Sequence, residues 1–168
     1  MPDHRKAFLA LSVEVTGYDA TDLEGTGLVD EYQALVESVT GSAIAAQLYD
    51  TMEEVHRAAP GAARERAMRI DVLASPILWP VLANLIQLWY TGQWNAMPPA
   101  CYQVSGAKKS ADDTTHVPSV RAYAEQLAYR AAGAHPPGAK PTGHASWSIP
   151  PVFGDRLPDP APHATEAR

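Results

Sequence analysis

Residues 75–92 have the sequence SPILWPVLANLIQLWYTG, and inside this segment only Asn84 and Gln87 interrupt a long apolar run. A helix that is apolar on almost every side is normally buried in the middle of a bundle. Ser75 followed by proline is typical of a capped helix start. Because Pro80 lacks a backbone donor early in this segment, we expect the helix to start late or to bend there.

Apolar residues spaced three and four apart predict five further helices around this one. They run over about residues 3–16, from 28 to the glycine at 41, from 44 to the proline at 60, over 62–74 and over 118–132. No segment has the alternation of a strand. The chain is therefore predicted to be all-α, an irregular bundle of about six helices. In the last helix, Val120, Tyr123, Leu127 and Ala131 are expected to lie on one inward face.

The chain divides by composition into a helical bundle domain over residues 1–134 and an extended Pro-rich tail over residues 135–168. The tail holds eight of the fifteen prolines and too few apolar side chains for a core of its own. In a polyproline-like conformation, residues 136–155 would reach roughly 60 Å. We expect the tail to dock on a partner protein through its large apolar side chains and adjacent prolines. These are Trp147, Ile149, Pro150, Pro151, Val152 and Phe153.

Residues 95–117 form a long polar connection between the fifth and sixth predicted helices. A connection of this length within a compact domain is either functional or disordered, and the sequence leaves both alternatives open.

Composition limits the classes of function. The length of 168 residues suits one bundle domain, and a net charge of −6 argues against a nucleic-acid surface. The single cysteine, Cys101, excludes an internal disulfide and a cysteine-ligated cluster. The apolar run within residues 75–92 is too short to span a membrane. The start of the chain is too polar for a secretory signal, so we expect a cytoplasmic protein.

Few residues in the chain form a pattern with known chemistry. Glu53 and His56 have the Glu-x-x-His spacing of helical metal sites, but only one copy is present, on a polar helix face. There is no nucleophile motif and no glycine-rich loop with lysine. We therefore expect no catalytic residue, metal or cofactor in this chain. Two alternatives stay open: a metal-dependent helical enzyme built around Glu53 and His56, and a stand-alone binding protein. In the second, an apolar ligand would lie among Trp79, Trp89, Tyr90 and Trp94.

Four short motifs occur in a suggestive order along the chain. They are Phe8-x-x-Leu11-Ser12-x-x-Val15-Thr16-Gly17, Trp89-Tyr90-x-Gly92, Tyr123-x-Glu125-x-Leu127-x-Tyr129 and Trp147-x-x-Pro150-Pro151. Together they resemble the small subunit of the bacterial FAD-dependent sugar and polyol dehydrogenases, the sorbitol, fructose and glucose dehydrogenase complexes. The resemblance extends loosely from the first motif to the last.

This resemblance implies a small helical subunit without a cofactor that binds a large flavoprotein of the glucose-methanol-choline (GMC) oxidoreductase type. Such a subunit supports the folding, stability or export of its partner, which holds the FAD and the catalytic residues. Two features depart from the family pattern. Family members usually begin with a twin-arginine signal, which is absent before Leu11, and many have a cysteine where this chain has Pro141-Thr-Gly-His144.

Overall fold

The computed structural model of the chain describes residues 4–136. Within these residues the protein is helical, which confirms the predicted all-α class, and the only extended pairing is a single antiparallel bridge between Trp94 and His116. The described part contains nine α-helices and one π-helix. These are α1 (His4–Thr16), α2 (Ala20–Gly25), α3 (Val29–Thr40), α4 (Ser42–Arg57), α5 (Ala62–Ala67), the π-helix (Met68–Leu73), α6 (Leu78–Thr91), α7 (Pro99–Ser105), α8 (Val120–Glu125) and α9 (Leu127–Ala131).

Helix α6 is the central element of the bundle, as its apolar sequence predicts. It contacts α1, α3, α4, α9 and the π-helix. The Ser75 hydroxyl accepts a hydrogen bond from the Leu78 amide at 3.0 Å, so the predicted cap is present while the helix starts at Leu78. This late start places Pro80 in the first turn, where a backbone donor would have no helical acceptor. The proline is therefore accommodated without a break in α6.

Helices α1, α3 and α4 pack their apolar stripes against one another and against α6. The innermost side chains include Phe8, Tyr32 and Leu48, all with no exposed surface. Full burial of one such side chain contributes about 1.5–3 kcal/mol. These three predicted helices are confirmed within a few residues of their expected ends, because the apolar periodicity that defines them is also the contact surface of the core.

The structure has more helices than the predicted six, for four reasons. Helix α7 was not predicted and lies within residues 95–117, which were expected to be a polar connection. Helix α2 was not predicted: the Asp19 carboxylate caps it by accepting a hydrogen bond from the Asp22 amide at 2.8 Å. The predicted helix over 62–74 changes to a π-helix at Met68. The predicted last helix is divided by Gln126, whose ψ of 137° is not helical.

The inward face predicted for the last helix is partly wrong. Leu127 is buried, but Val120 is 83% exposed, Tyr123 is 37% exposed and Ala131 is also exposed. The break at Gln126 changes the helical phase, so Ala122 takes the buried position in α8 instead. A single helical period cannot describe both halves of this segment.

The long connection between α6 and α8 is ordered around one buried carboxylate. Asp113, with no exposed surface, accepts hydrogen bonds from the Met97 amide at 2.9 Å, the Trp94 indole at 3.2 Å and the Tyr102 hydroxyl at 2.6 Å. Lys109 lies 3.7 Å from the same carboxylate. Because these groups come from both ends of the connection, Asp113 ties it to the core. In the structure, this connection is ordered and residues Pro99–Ser105 within it form α7.

The end of α6 fits closely against α8. Gly92 has a φ of 65° and ends the helix in the left-handed conformation that favours glycine. A Cβ atom at this position would lie 2.3 Å from the carbonyl oxygen of Ala122. Glycine at position 92 therefore allows both the left-handed end of α6 and the close approach of α8.

Candidate functional site

The six residues predicted to dock on a partner lie outside the described part of the chain. Trp147, Ile149, Pro150, Pro151, Val152 and Phe153 follow Pro136, the last described residue. Their role stays a prediction, as does the boundary of the tail. The candidate surfaces described next belong to the helical bundle.

Three large apolar side chains are exposed near the junction of the π-helix and α6. Ile70 is 55% exposed, Leu73 is 44% exposed and Trp79 is 42% exposed. We call this group the apolar patch. The exposure of Trp79 departs from the burial expected for a helix that is apolar on almost every side. Large exposed apolar groups close together in sequence are typical of interaction sites.

The backbone explains why the apolar patch faces outward. The Ala74 amide donates to the Arg69 carbonyl at 3.1 Å, a five-residue spacing that widens the helix at this point. Only Val72 of the π-helix is buried, so Ile70 and Leu73 lie away from the core. The following turn then redirects the chain by 102° into α6.

The bend also bears on membrane insertion. Within residues 4–136, no single helix is long and apolar enough to cross a membrane. Residues Ala62–Leu73 and Leu78–Thr91 meet the criteria of length and composition only as a bent pair.

A cleft of about 330 Å³ lies between α1 and α4 and includes both residues of the Glu-x-x-His motif. Small and apolar side chains, among them Ala10, Leu11 and Met52, line its floor. At its edge, His56 lies 3.6 Å from Glu14, and Glu53 forms an ion pair with Arg57 at 2.7 Å. The structure thus places Glu53 and His56 on the surface, as predicted. Among residues 4–136, no group of three His, Cys, Asp or Glu side chains is arranged to hold a metal ion.

Tyr49 forms part of the wall of this cleft and is buried except for 4% of its surface. Its hydroxyl finds no hydrogen-bond partner among the described residues, and its ring contacts His4 and Phe8 edge to face. Burial, and to a lesser degree the charge of Glu37, raises the pKa of Tyr49 above its ordinary value. The phenol therefore stays protonated at neutral pH and acts as an apolar wall with one polar atom.

Three of the four aromatic side chains that could have enclosed a ligand have structural roles instead, and the fourth, Trp79, is exposed. Trp89 and Trp94 have no exposed surface, and their indole groups donate to the Ser12 hydroxyl at 3.0 Å and to Asp113. The Tyr90 hydroxyl donates to the Thr16 carbonyl at 2.8 Å. These contacts favour core packing over the ligand-binding alternative for α6.

Three of the four sequence motifs meet in one region of the bundle. Ser12 and Thr16 of the first motif receive hydrogen bonds from Trp89 and Tyr90 of the second. Gly92 of the second motif lies against the backbone that leads into Tyr123 of the third motif. The motif residues therefore hold α1, α6 and α8 together. Their spacing reflects the packing of the bundle, and the fourth motif lies outside the described residues.

Cys101 does not have the surroundings of a reactive thiol. It is buried in α7, and burial, followed by the nearby charge of Asp113, raises its pKa. Neighbouring Tyr102 also has a raised pKa, because of burial and its hydrogen bond to Asp113. Since the thiolate is the nucleophile, a raised pKa favours a structural role for this cysteine.

Sequence reasoning missed two features of the bundle. The apolar patch has no periodic signal, because its residues come from a π-helix and from the first turn of α6. The role of Asp113 was also missed, because an acidic residue in a long polar connection carries no signal of burial. Only its neighbourhood in space, near Trp94 and Tyr102, reveals it.

Comparison of the chain with known protein families, curated proteins and solved structures found no match. The resemblance to dehydrogenase small subunits therefore rests on the four motifs alone.

Proposed function

We propose that this chain is a non-catalytic small subunit that binds and stabilises a large FAD-dependent sugar or alcohol dehydrogenase or oxidase of the GMC type. The chain itself has no catalytic role in this proposal, and the FAD belongs to the partner. The complex is a hetero-oligomer located in the cytoplasm. The chain binds no nucleic acid and spans no membrane.

The observation that carries the proposal is the apolar patch. Ile70, Leu73 and Trp79 are between 42% and 55% exposed on a bundle that otherwise buries most of its large apolar side chains. Tryptophan is enriched at the energetic centre of protein interfaces. A partner protein that covers the patch would remove this apolar surface from water, at a gain of about 25 cal/mol per Å².

The arrangement of the motifs supports the same proposal. Residues such as Ser12, Trp89 and Gly92 build a rigid bundle, and none of them is left free for chemistry. A rigid bundle followed by a tail with apolar anchor residues is typical of a protein that binds and stabilises a partner protein. Trp147 is the largest of these anchors.

The experiment that tests the proposal uses a large GMC-type flavoprotein, which the proposal predicts to be encoded beside the gene of this chain. The two full-length proteins are produced together, and the affinity of the complex and the flavin content of the large subunit are measured. Truncation of an anchor tryptophan typically costs about 2–4 kcal/mol of binding, so Trp147→Ala should weaken assembly by roughly thirty-fold or more. The helical content of this chain should not change.

A second variant tests the apolar patch in the same assay. The triple change Ile70→Ser, Leu73→Ser and Trp79→Ser should also weaken assembly, since it removes the apolar side chains of the proposed contact, which are about half exposed. Val120→Ser is the matched control, because Val120 is 83% exposed and lies on α8, away from the patch. Full flavin content of the large subunit made alone, together with unchanged affinity of both variants, would overturn the proposal.

A further inference from the structure

The chain leaves the last described helix, α9, through a turn that holds it against the end of that helix. Gly133 has a left-handed conformation, with a φ of 63°. Its amide donates to the Arg130 carbonyl at 3.2 Å, and the Ala134 amide donates to the Tyr129 carbonyl at 2.7 Å. These two hydrogen bonds form a Schellman motif. Residue 134 is therefore fixed beside the backbone of Tyr129.

The next two residues stay close to the bundle. His135 is half-buried, and Pro136, the last described residue, is buried. Since prolines are mostly exposed in proteins, the burial of Pro136 shows that the chain lies against other residues at this point. Consecutive Cα atoms are about 3.8 Å apart, so the Cα atom of Pro137 lies within about 12 Å of that of Ala134. The tail therefore begins near Tyr129.

Two tyrosine side chains form an aromatic surface beside this exit. The rings of Tyr123 and Tyr129 are 6.1 Å apart and inclined at 82°, so together they present one face and one edge. Tyr123 is exposed and Tyr129 is half-buried. A hydrogen bond with Tyr123, followed by burial, raises the pKa of Tyr129 to about 12. We call these two side chains the tyrosine pair.

We propose that residues 137–141 of this chain, with the sequence PGAKP, cover the tyrosine pair in a polyproline-like conformation. Proline-rich segments bind surfaces lined by aromatic side chains, because a preformed polyproline helix loses little entropy on docking. In this conformation the segment spans about 12 Å, which is long enough to cross both rings. Its attachment next to Tyr129 gives it a high effective concentration there, which favours it over any free molecule.

This contact sets the direction in which the rest of the tail leaves the bundle. Trp147 follows Pro141 by six residues, which is about 19 Å in a polyproline-like conformation. A tail that is held at its base loses less conformational freedom when its apolar anchors bind a partner. The inference goes beyond the proposed function, because the contact forms within one chain. A chain that binds no flavoprotein can still hold its tail in this way, so the two proposals fail independently.

The test uses the isotope-labelled full-length chain alone, in solution. Nuclear Overhauser effects (NOEs) should connect the protons of residues 137–141 with the ring protons of Tyr123 and Tyr129. A sample that mixes labelled and unlabelled chains separates contacts within one chain from contacts between two copies. Absence of these NOEs, or their appearance only between two copies, would overturn the proposal.

A change in the tyrosine pair tests its contribution. Tyr123→Ala removes one ring from an exposed position, and the Tyr129 ring remains as the reporter. The ratio of docked to undocked tail should fall roughly three- to tenfold, with a matching loss of NOE intensity between residues 137–141 and Tyr129. Val104→Ala, at an exposed position on α7, is the matched control and should leave these NOEs unchanged. Equal NOE intensity in wild type and Tyr123→Ala would contradict the proposed contact.

A second pair of variants changes the tail and leaves every residue of the bundle in place. Pro137→Gly with Pro141→Gly removes both proline rings of the segment and should weaken the NOEs between Ala139 and Tyr129. Pro158→Gly with Pro160→Gly makes the same change further along the tail and should have no effect on them. If both double variants weaken these NOEs equally, the prolines of residues 137–141 have no special role and the proposal is wrong.

Discussion

Replacing Gly92 by alanine tests how closely α6 and α8 approach. Gly92 ends α6 with φ 65° and ψ 13°, and its missing Cβ would lie 2.3 Å from the Ala122 oxygen and 2.8 Å from the Ala122 carbonyl carbon. Gly106 ends α7 with nearly the same angles, φ 67° and ψ 6°, but a Cβ there would meet nothing within 4 Å. The two glycines therefore share the backbone conformation, but only at position 92 would a Cβ meet another group, the carbonyl of Ala122.

The expected magnitudes follow from this difference. A left-handed conformation costs a non-glycine residue about 1–2 kcal/mol. Gly106→Ala should lower the free energy of unfolding by this amount only. Gly92→Ala adds a contact with a backbone carbonyl that can recover ordinary spacing only if α8 moves by about 1 Å. Overpacking of this kind costs about 1–3 kcal/mol. We therefore expect Gly92→Ala to destabilise the chain by about 2–5 kcal/mol in total.

Urea unfolding of both variants and wild type, followed by far-UV circular dichroism, measures the free energy of unfolding. The informative quantity is the difference between the two alanine variants, since it removes the contribution of φ. A difference below about 0.5 kcal/mol, with the same dependence on urea, would refute the close contact between Gly92 and Ala122.

Three further predictions concern buried polar groups. Asp113→Ala should cost about 3 kcal/mol or more in urea unfolding, because it leaves two buried donors and one part-buried donor without their acceptor. A loss below about 1 kcal/mol would contradict the role of Asp113. Tyr32→Phe should be neutral or stabilising in the same assay, since the Tyr32 hydroxyl is buried and unpaired among the described residues, whereas Tyr102→Phe should cost about 1 kcal/mol. Burial raises the pKa values of Tyr32 and Tyr49 in the folded chain. Above about pH 10 the unfolded chain therefore loses the protons of these tyrosines before the folded chain does. The free energy of unfolding should be independent of these two tyrosines below about pH 10 and should fall above it. Tyr32→Phe should make this alkaline loss shallower, and an unchanged pH profile would contradict the shift.

Helix α6 and its neighbours were predictable because their apolar residues follow a regular period. Phe8, Tyr32 and Leu48 occupy the inward positions that their spacing indicates. The apolar period did not predict the places where the backbone departs from the α-helix. The π-helix changes which side chains face the core, and the break at Gln126 leaves Val120 exposed.

The candidate surfaces were less predictable than the fold. The exposed position of Glu53 and His56 followed from the polar face of α4, but the cleft beside them depends on how α1 crosses α4. That crossing is set by side chains distant in sequence, such as Phe8 and Tyr49. The apolar patch likewise requires the 102° turn between two helices, which no local pattern expresses.

The hydrogen bonds that join α1 to α6 have a consequence for the order of events during synthesis. Ser12 and Trp89 are separated by 77 positions. At about 5–20 residues per second, the ribosome adds this intervening segment in roughly 4–15 s. Helix α1 is synthesised before α6, so the Ser12 hydroxyl and the surface of α1 that packs on α6 stay uncovered during this interval. A chaperone that protects nascent apolar segments would act on α1 during this interval.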